Sequence, residues 1–136
     1  MVRELLTQQN IDFMERAREV AEKYIRPIAA KHDAEQTYPW AFQKAVKEAG
    51  LSGVWIPKDY GGAGGSVLDL CLVVEQFARA CGGMGVAYAV NALGSFPILL
   101  GGTEDQKARW LPGIASGDKL ISFGLSEKDA GSDAGS

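Results

Sequence analysis

Lys119-Leu-Ile-Ser-Phe-Gly-Leu-Ser-Glu-Lys-Asp-Ala-Gly-Ser-Asp-Ala-Gly-Ser136 decides how this chain is read. Leu120 to Leu125 is strand-like, with Ile121, Phe123 and Leu125 on one face. It runs into a loop of glycine and serine, which offers bare backbone N–H groups and small hydroxyls to a polar ligand. One strand cannot make a sheet, because even a paired hairpin is marginal in water. The expectation is a chain that stops inside a binding site.

Everything upstream reads as helix and loop. Ser116-Gly-Asp118 marks a turn, and Thr103 caps a short charged helix from Glu104 to Leu111, which Pro112-Gly113 ends. Ala80 to Thr103 holds no charged residue. A membrane span is rejected there, because six glycines, Asn91, Ser95 and Pro97 dilute the apolar content. The stretch predicts a buried helix from about Met84 to Leu100, broken near Pro97. Ser66 opens another helix with Asp69 in capping-box position. Its apolar residues run from Leu68 to Ala78 and cover most of its circumference. Before it come a loop with four glycines, Lys58 to Gly65, and an apolar, extended run, Leu51 to Pro57. A helix from Pro39 buries Phe42, Ala45, Val46 and Ala49, with Gly50 as its C-terminal cap. The first helix, capped by Thr7, carries Ile11, Met14, Ala17, Ala21, Tyr24, Ile25 and Ile28 at helical spacing, and Pro27 kinks or ends it.

At 136 residues, 46% hydrophobic and 23% charged, the chain has material for one globular domain. A net charge of -3 with scattered Lys and Arg argues against a nucleic-acid surface. Cys71, Cys81 and His32 show no ligand-like spacing, so no metal site is expected. Both thiols are expected buried and reduced, which fits a cytoplasmic location such as a bacterial interior. Met1 to Leu6 opens no apolar segment of signal-peptide length. Two consecutive helices that are apolar nearly all round need cover on both sides. The chain is short of material for that, and is expected to need further sequence, an oligomeric partner or a large apolar ligand.

Four segments stand in one register: Ile56-Pro-Lys-Asp-Tyr-Gly-Gly-Ala-Gly64; Asn91-Ala-Leu-Gly-Ser-Phe-Pro97 with Gly102-Thr-Glu-Asp-Gln-Lys-Ala-Arg-Trp-Leu-Pro112; Ala115-Ser-Gly-Asp118; and Leu125-Ser-Glu-Lys-Asp-Ala-Gly-Ser-Asp133. Together they resemble the N-terminal part of the acyl-CoA dehydrogenase family, whose signature there is "[LV]-[ST]-E-P-x-A-G-S-D". The resemblance implies a mainly α fold. Residues 1–117 would form the N-terminal helical-bundle domain, and 118–136 the first β-strand and flavin-contacting loop of a middle β-domain. It also implies α,β-dehydrogenation of an acyl-CoA thioester, in which a carboxylate base takes the α-proton and FAD receives the β-hydrogen as hydride. Electrons would pass to an electron-transfer flavoprotein, and the enzyme would be a homo-oligomer.

In that register Phe123, Leu125 and Ser126 match positions that pack on or hydrogen-bond the flavin ring. Gly131 and Ser132 match positions that donate to its polar edge. Short, rigid donors suit a ring with fixed acceptors. Ser126 keeps the hydroxyl of the commoner threonine, and Lys128 stands where the family usually has proline. Gly85, Val86, Ala89, Val90 and Leu93 match the helix that lines the acyl chain, and the small residues at 85 and 89 imply a roomy pocket. The family's catalytic glutamate lies beyond residue 136. No catalytic residue is therefore assigned here, and the isolated chain is expected to be inactive.

Other readings compete with these. Ser126 and Ser132 could be plain loop serines, Glu127 a structural carboxylate, and Gly85 to Leu93 ordinary core. The loop from Gly61 to Gly65 lacks the strand–GxGxxG–helix order and the lysine of a phosphate cradle, and reads as a tight turn before a capped helix. His32 reads as a surface histidine near a helix end. Acyl-CoA oxidases and nitroalkane oxidases are related flavoenzymes with parts of these motifs. A non-catalytic helical module that self-associates through its apolar helices is a reading of another class.

Overall fold

The structure, a computed structural model, describes residues 3–135. Met1, Val2 and Ser136, the outer ends of the two units expected from sequence, lie outside them. Six α-helices are formed among the described residues: α1 Gln8–Val20, α2 Ala29–Glu35, α3 Trp40–Glu48, α4 Val67–Ala80, α5 Gly82–Gly101 and α6 Glu104–Ala115.

Local chemistry sets three helix starts. Thr7, Ser66 and Thr103 each cap a helix through the hydroxyl, and each is capped in return by the side chain three residues on, Asn10, Asp69 or Gln106. This reciprocal arrangement satisfies amides that the first helical turn leaves without partners. At the end of α3, Gly50 takes φ +65°. The Gly50 and Leu51 amides then reach back to Lys47 and Val46 carbonyls at 3.0 Å each. That is the Schellman closure, which needs a left-handed residue at this place.

Packing overrides the sequence pattern elsewhere. The buried side of the first helical stretch is Asn10, Phe13, Ala17, Val20, Ala21 and Ile25, whereas Ile11 and Met14 are only half-buried. At Ala21–Ile25 the helix widens into a π-turn, with the Arg26 amide bonded to the Ala21 carbonyl at 3.0 Å. This wide turn precedes Pro27, which has no amide to continue the ladder. Leu51 to Ile56, expected extended, is turned and wholly buried. The glycine loop folds back on it: the Ala63, Gly64 and Gly65 amides donate to the Gly53, Ile56 and Val54 carbonyls. Gly62 allows this approach, since a Cβ there would lie 2.0 Å from the Ile56 carbonyl oxygen.

Two prolines fail to stop their helices. α5 runs unbroken through Pro97, which is exposed. α6 continues past Pro112 to Ala115, because Leu111 and Ile114 on either side of it are both buried. The expected β-strand is not formed among the described residues. Leu120 to Leu125 is unpaired, because no second strand is present to supply a ladder. The two cysteines are also not buried as expected: Cys71 is exposed on α4, and Cys81 is half-buried at the α4–α5 junction.

The core joins α1 to α4, α4 to α5 and α5 to α6. Its spine is a chain of edge-to-face rings: Phe42 on Phe77 (5.1 Å), Phe77 on Tyr88 (5.0 Å) and Tyr88 on Trp55 (5.8 Å). Both polar tips are satisfied, with the Tyr88 hydroxyl donating to the Leu51 carbonyl at 2.8 Å and the Trp55 indole N–H to Ser95 Oγ at 2.7 Å. Burial pushes the Tyr88 phenol far up.

Asp69 ties the α4 cap to α1. It is 1% exposed. It accepts from Asn10 Nδ2 at 2.5 Å, Gln9 Nε2 at 3.3 Å and the Ser66 amide at 2.7 Å. Burial alone would raise this carboxyl, but the Ser66, Asn10 and Gln9 donors outweigh it and hold the group below the usual carboxylate range. A depressed carboxyl contributes stability above its unfolded pKa, about 3.9, and that stability is lost as pH falls through the lower folded value. Asp69→Ala should lower the unfolding free energy by about 2–3 kcal/mol in urea titrations at neutral pH, since it strands buried donors and removes a cap. The same titrations at decreasing pH should show a shallower acid loss for the variant than for the parent chain.

Candidate functional site

The expected site has two parts, and α5 serves both. On one side of α5, Val86, Leu93 and Leu100 recur at helical spacing and stand 61%, 50% and 85% exposed. Ala89 and Val90 flank them and are half-buried. This is an apolar stripe that nothing among the described residues covers. Gly85 departs from the expectation. It is buried against α4, where a Cβ would sit 2.9 Å from Ala78 Cα, so its small size serves helix packing and opens no room in the stripe.

The second part is the run after α6. The turn there is pinned to α3 by the Lys47–Asp118 ion pair, with the Ser116 hydroxyl and Asp118 Oδ2 at 2.8 Å and the Lys119 amide on the Gly113 carbonyl at 2.9 Å. The chain then crosses α5. The Ile121 amide donates to Asn91 Oδ1 at 3.1 Å. At Gly94 the backbone comes so close that a Cβ would meet Ser122 O at 2.8 Å. Beyond this crossing Phe123 (41%) and Leu125 (56%) are exposed, as are Ser126, Gly131 and Ser132. In this stretch the Glu127 amide closes a turn on the Ala130 carbonyl at 2.9 Å. The amides of Phe123, Leu125, Ser126, Gly131 and Ser132 bond to no protein acceptor among the described residues.

The structure thus carries the first set on α5 and brings onto the same helix the chain that leads to the second, at Ile121 and Ser122. A hollow of about 240 Å³ opens where the run leaves α5, between Tyr38, Ala87, Val90 and Ile121. A larger one, about 460 Å³, shares Tyr38 and Ala87 with it and lies between α2 and the start of α5. Burial pushes the Tyr38 phenol up. His32 lies at the end of α2 with Nδ1 2.8 Å from Thr37 Oγ1. The glycine loop offers nothing to a phosphate, because the Gly61, Gly62, Ala63, Gly64 and Gly65 amides all donate to backbone carbonyls of residues 53–58. Asn91 is the residue that sequence reasoning missed as part of this site. Its signal was present: it is the one side-chain amide in the uncharged stretch between Ala80 and Thr103.

A FAD ring fits the chemistry of the run. Free amides at Ser126, Gly131 and Ser132 and two serine hydroxyls are donors for ring acceptors, and exposed Phe123 and Leu125 are apolar surface for its face.

Comparison with known proteins finds relatives in both sequence and shape. The family model described as acyl-CoA dehydrogenase, N-terminal domain, matches residues 7–118. A probable acyl-CoA dehydrogenase of Bacillus subtilis is 41% identical over 131 residues, which is 96% of this chain and 34% of that protein. The solved butyryl-CoA dehydrogenase of Megasphaera elsdenii superposes with a TM-score of 0.87 at 33% identity, over 95% of this chain and 35% of that one. An acyl-CoA dehydrogenase of Bacillus anthracis, solved in complex with FAD, gives 0.83 at 29% identity, over 98% of this chain and 23% of that one. The chain spans about a third of the length of the curated relatives it matches.

The different surroundings of neighbouring α5 residues give a direct check. Gly85→Ala should destabilise the chain by about 1–3 kcal/mol in urea unfolding, because its methyl drives into the α4 backbone. Val86→Ala on the open stripe should change stability by no more than about 0.5 kcal/mol.

Proposed function

This chain belongs to the acyl-CoA dehydrogenase family through its N-terminal domain, and we propose that it forms the helical side of the catalytic site of a FAD-dependent acyl-CoA dehydrogenase. Bound FAD would supply the hydride acceptor for the β-carbon of an acyl-CoA thioester. The chain's own part is to bind and orient. Val86, Ala89, Val90 and Leu93 form an apolar wall along the acyl chain and exclude water from it. Phe123, Leu125, Ser126, Gly131 and Ser132 hold one face and the polar edge of the flavin. None of these residues is assigned the α-proton, and in the same proposal the base lies outside the residues named here. Electron-transfer flavoprotein as acceptor and a homo-oligomeric assembly belong to the same proposal.

The observation that carries this reading is the open apolar stripe on α5 beside a run of unspent amides. A catalytic site that is only walled on one side must be completed by further protein. The isolated chain is therefore expected to be colourless after purification and to show no acyl-CoA-dependent dye reduction.

A chimera tests the positive half. The N-terminal third of butyryl-CoA dehydrogenase would be replaced by this chain, guided by the 95% overlap. The expected result is a yellow protein with acyl-CoA-dependent flavin bleaching. A folded chimera that neither retains flavin nor bleaches with any acyl-CoA would overturn the proposal.

A further inference from the structure

We propose that Asn91, with Gly94 one turn on, is the positioning residue of the flavin segment: it latches Ile121 and Ser122 to α5 and so fixes residues 123–132 against the helix that bears the acyl wall. This rests on the flavin role proposed above for Phe123 to Ser132.

Asn91 is 7% exposed in a helix that is otherwise nearly all apolar. A buried amide is retained only where its polar atoms are satisfied. All the polar work is assigned here. Nδ2 donates to the Ala87 carbonyl at 3.0 Å and reaches the Tyr88 carbonyl at 3.4 Å, while Oδ1 accepts the Ile121 amide at 3.1 Å. The partners settle which atom is which, because carbonyls only accept and an amide N–H only donates. The two bonds back to α5 hold the side chain in one orientation, and the third therefore holds the crossing chain in one register. Leucine at 91 has no acceptor. Aspartate would turn a carboxylate toward two carbonyls.

Gly94 completes the latch. Any Cβ there would stand 2.8 Å from Ser122 O and 3.0 Å from both Ser122 C and Ile121 Cγ1. The crossing backbone therefore lies directly on the helix, at a position only glycine permits. From there Ile121 turns its side chain toward the core, while Phe123 and Leu125 emerge into the open. Val90, one residue before Asn91, belongs to the proposed acyl wall. One helix thus sets the distance between the two half-sites, and Asn91 is where they join. Because the polar atoms of Asn91 are spent on Ala87, Tyr88 and Ile121, its role is positioning.

The test is residue-resolved amide hydrogen exchange on the 136-residue chain, alongside limited proteolysis of residues 122–133 and thermal unfolding. In Asn91→Leu the Ile121 amide should exchange about tenfold faster and cleavage in 122–133 should accelerate, the loss expected for one net hydrogen bond. The midpoint of thermal unfolding and exchange in α1 and α4 should change little. Gly94→Ala, which keeps Asn91 but pushes the crossing chain off the helix, should give the same local release, and it decides the matter if the leucine variant does not fold. Unchanged Ile121 exchange and unchanged cleavage in a folded variant would overturn the proposal. The butyryl-CoA dehydrogenase chimera separates the two readings. Local release in the variants of the 136-residue chain, beside a folded chimera that retains no flavin, would leave the latch standing and count against the flavin role.

Discussion

α5 is the constraint on which the rest of the structure depends. Twenty residues without a charge must be covered on more than one side, or the domain does not hold together. α4 covers one side through Gly85 and the Phe77–Tyr88 contact. The turned segment Leu51 to Ile56 covers another through Trp55 and Ser95, and α6 packs at the C-terminal end. The run after α6 closes a fourth position at Gly94. What is left is the stripe from Val86 to Leu100, and it is long enough to be an interface or the wall of a site. By length and composition alone α5 would also pass as a membrane span. Buried Asn91 and Ser95, each with partners inside the domain, tie it to this core.

Features that rest on a few consecutive residues were legible in the sequence. The three capped starts at Thr7, Ser66 and Thr103 and the glycine closure at Gly50 need only neighbours within one turn. The turn character of the glycine loop was legible from its four glycines, though not the segment it folds back on. Features decided by distant partners were not. Pro97 and Pro112 carry strong stop signals, yet both helices go on: Ile98 and Leu99 pack against the core beyond Pro97, and Leu111 and Ile114 are buried on either side of Pro112. Leu51 to Ile56 looked extended because its residues are apolar, but it is turned because the glycine loop supplies its hydrogen bonds. Leu120 to Leu125 has strand composition and no strand partner among the described residues.

The site was legible to a lesser degree. The resemblance proposes two residue sets, and the helix expected to carry one of them is present as α5. Helical periodicity could not tell Gly85, which faces α4, from Val86, which faces outward, since the two are adjacent in an unbroken apolar run. Nor could it show that Asn91 reaches across to Ile121, thirty residues later. Both facts come from packing, and both bear on how the open stripe of α5 and the run after Ser122 are placed relative to each other. The cysteines teach the same lesson from the other side: Cys71 sits among apolar neighbours in sequence and still faces water.

The most direct measurement is a crystal structure of the butyryl-CoA dehydrogenase chimera carrying this chain, with FAD and an acyl-CoA substrate analogue bound. The expected result places the acyl chain in van der Waals contact with Val86, Ala89, Val90 and Leu93, and the flavin edge on the Ser126, Gly131 and Ser132 donors, with Asn91 still bonded to Ile121. A structure in which another protein segment covers the α5 stripe, and both ligands lie away from these residues, would contradict it.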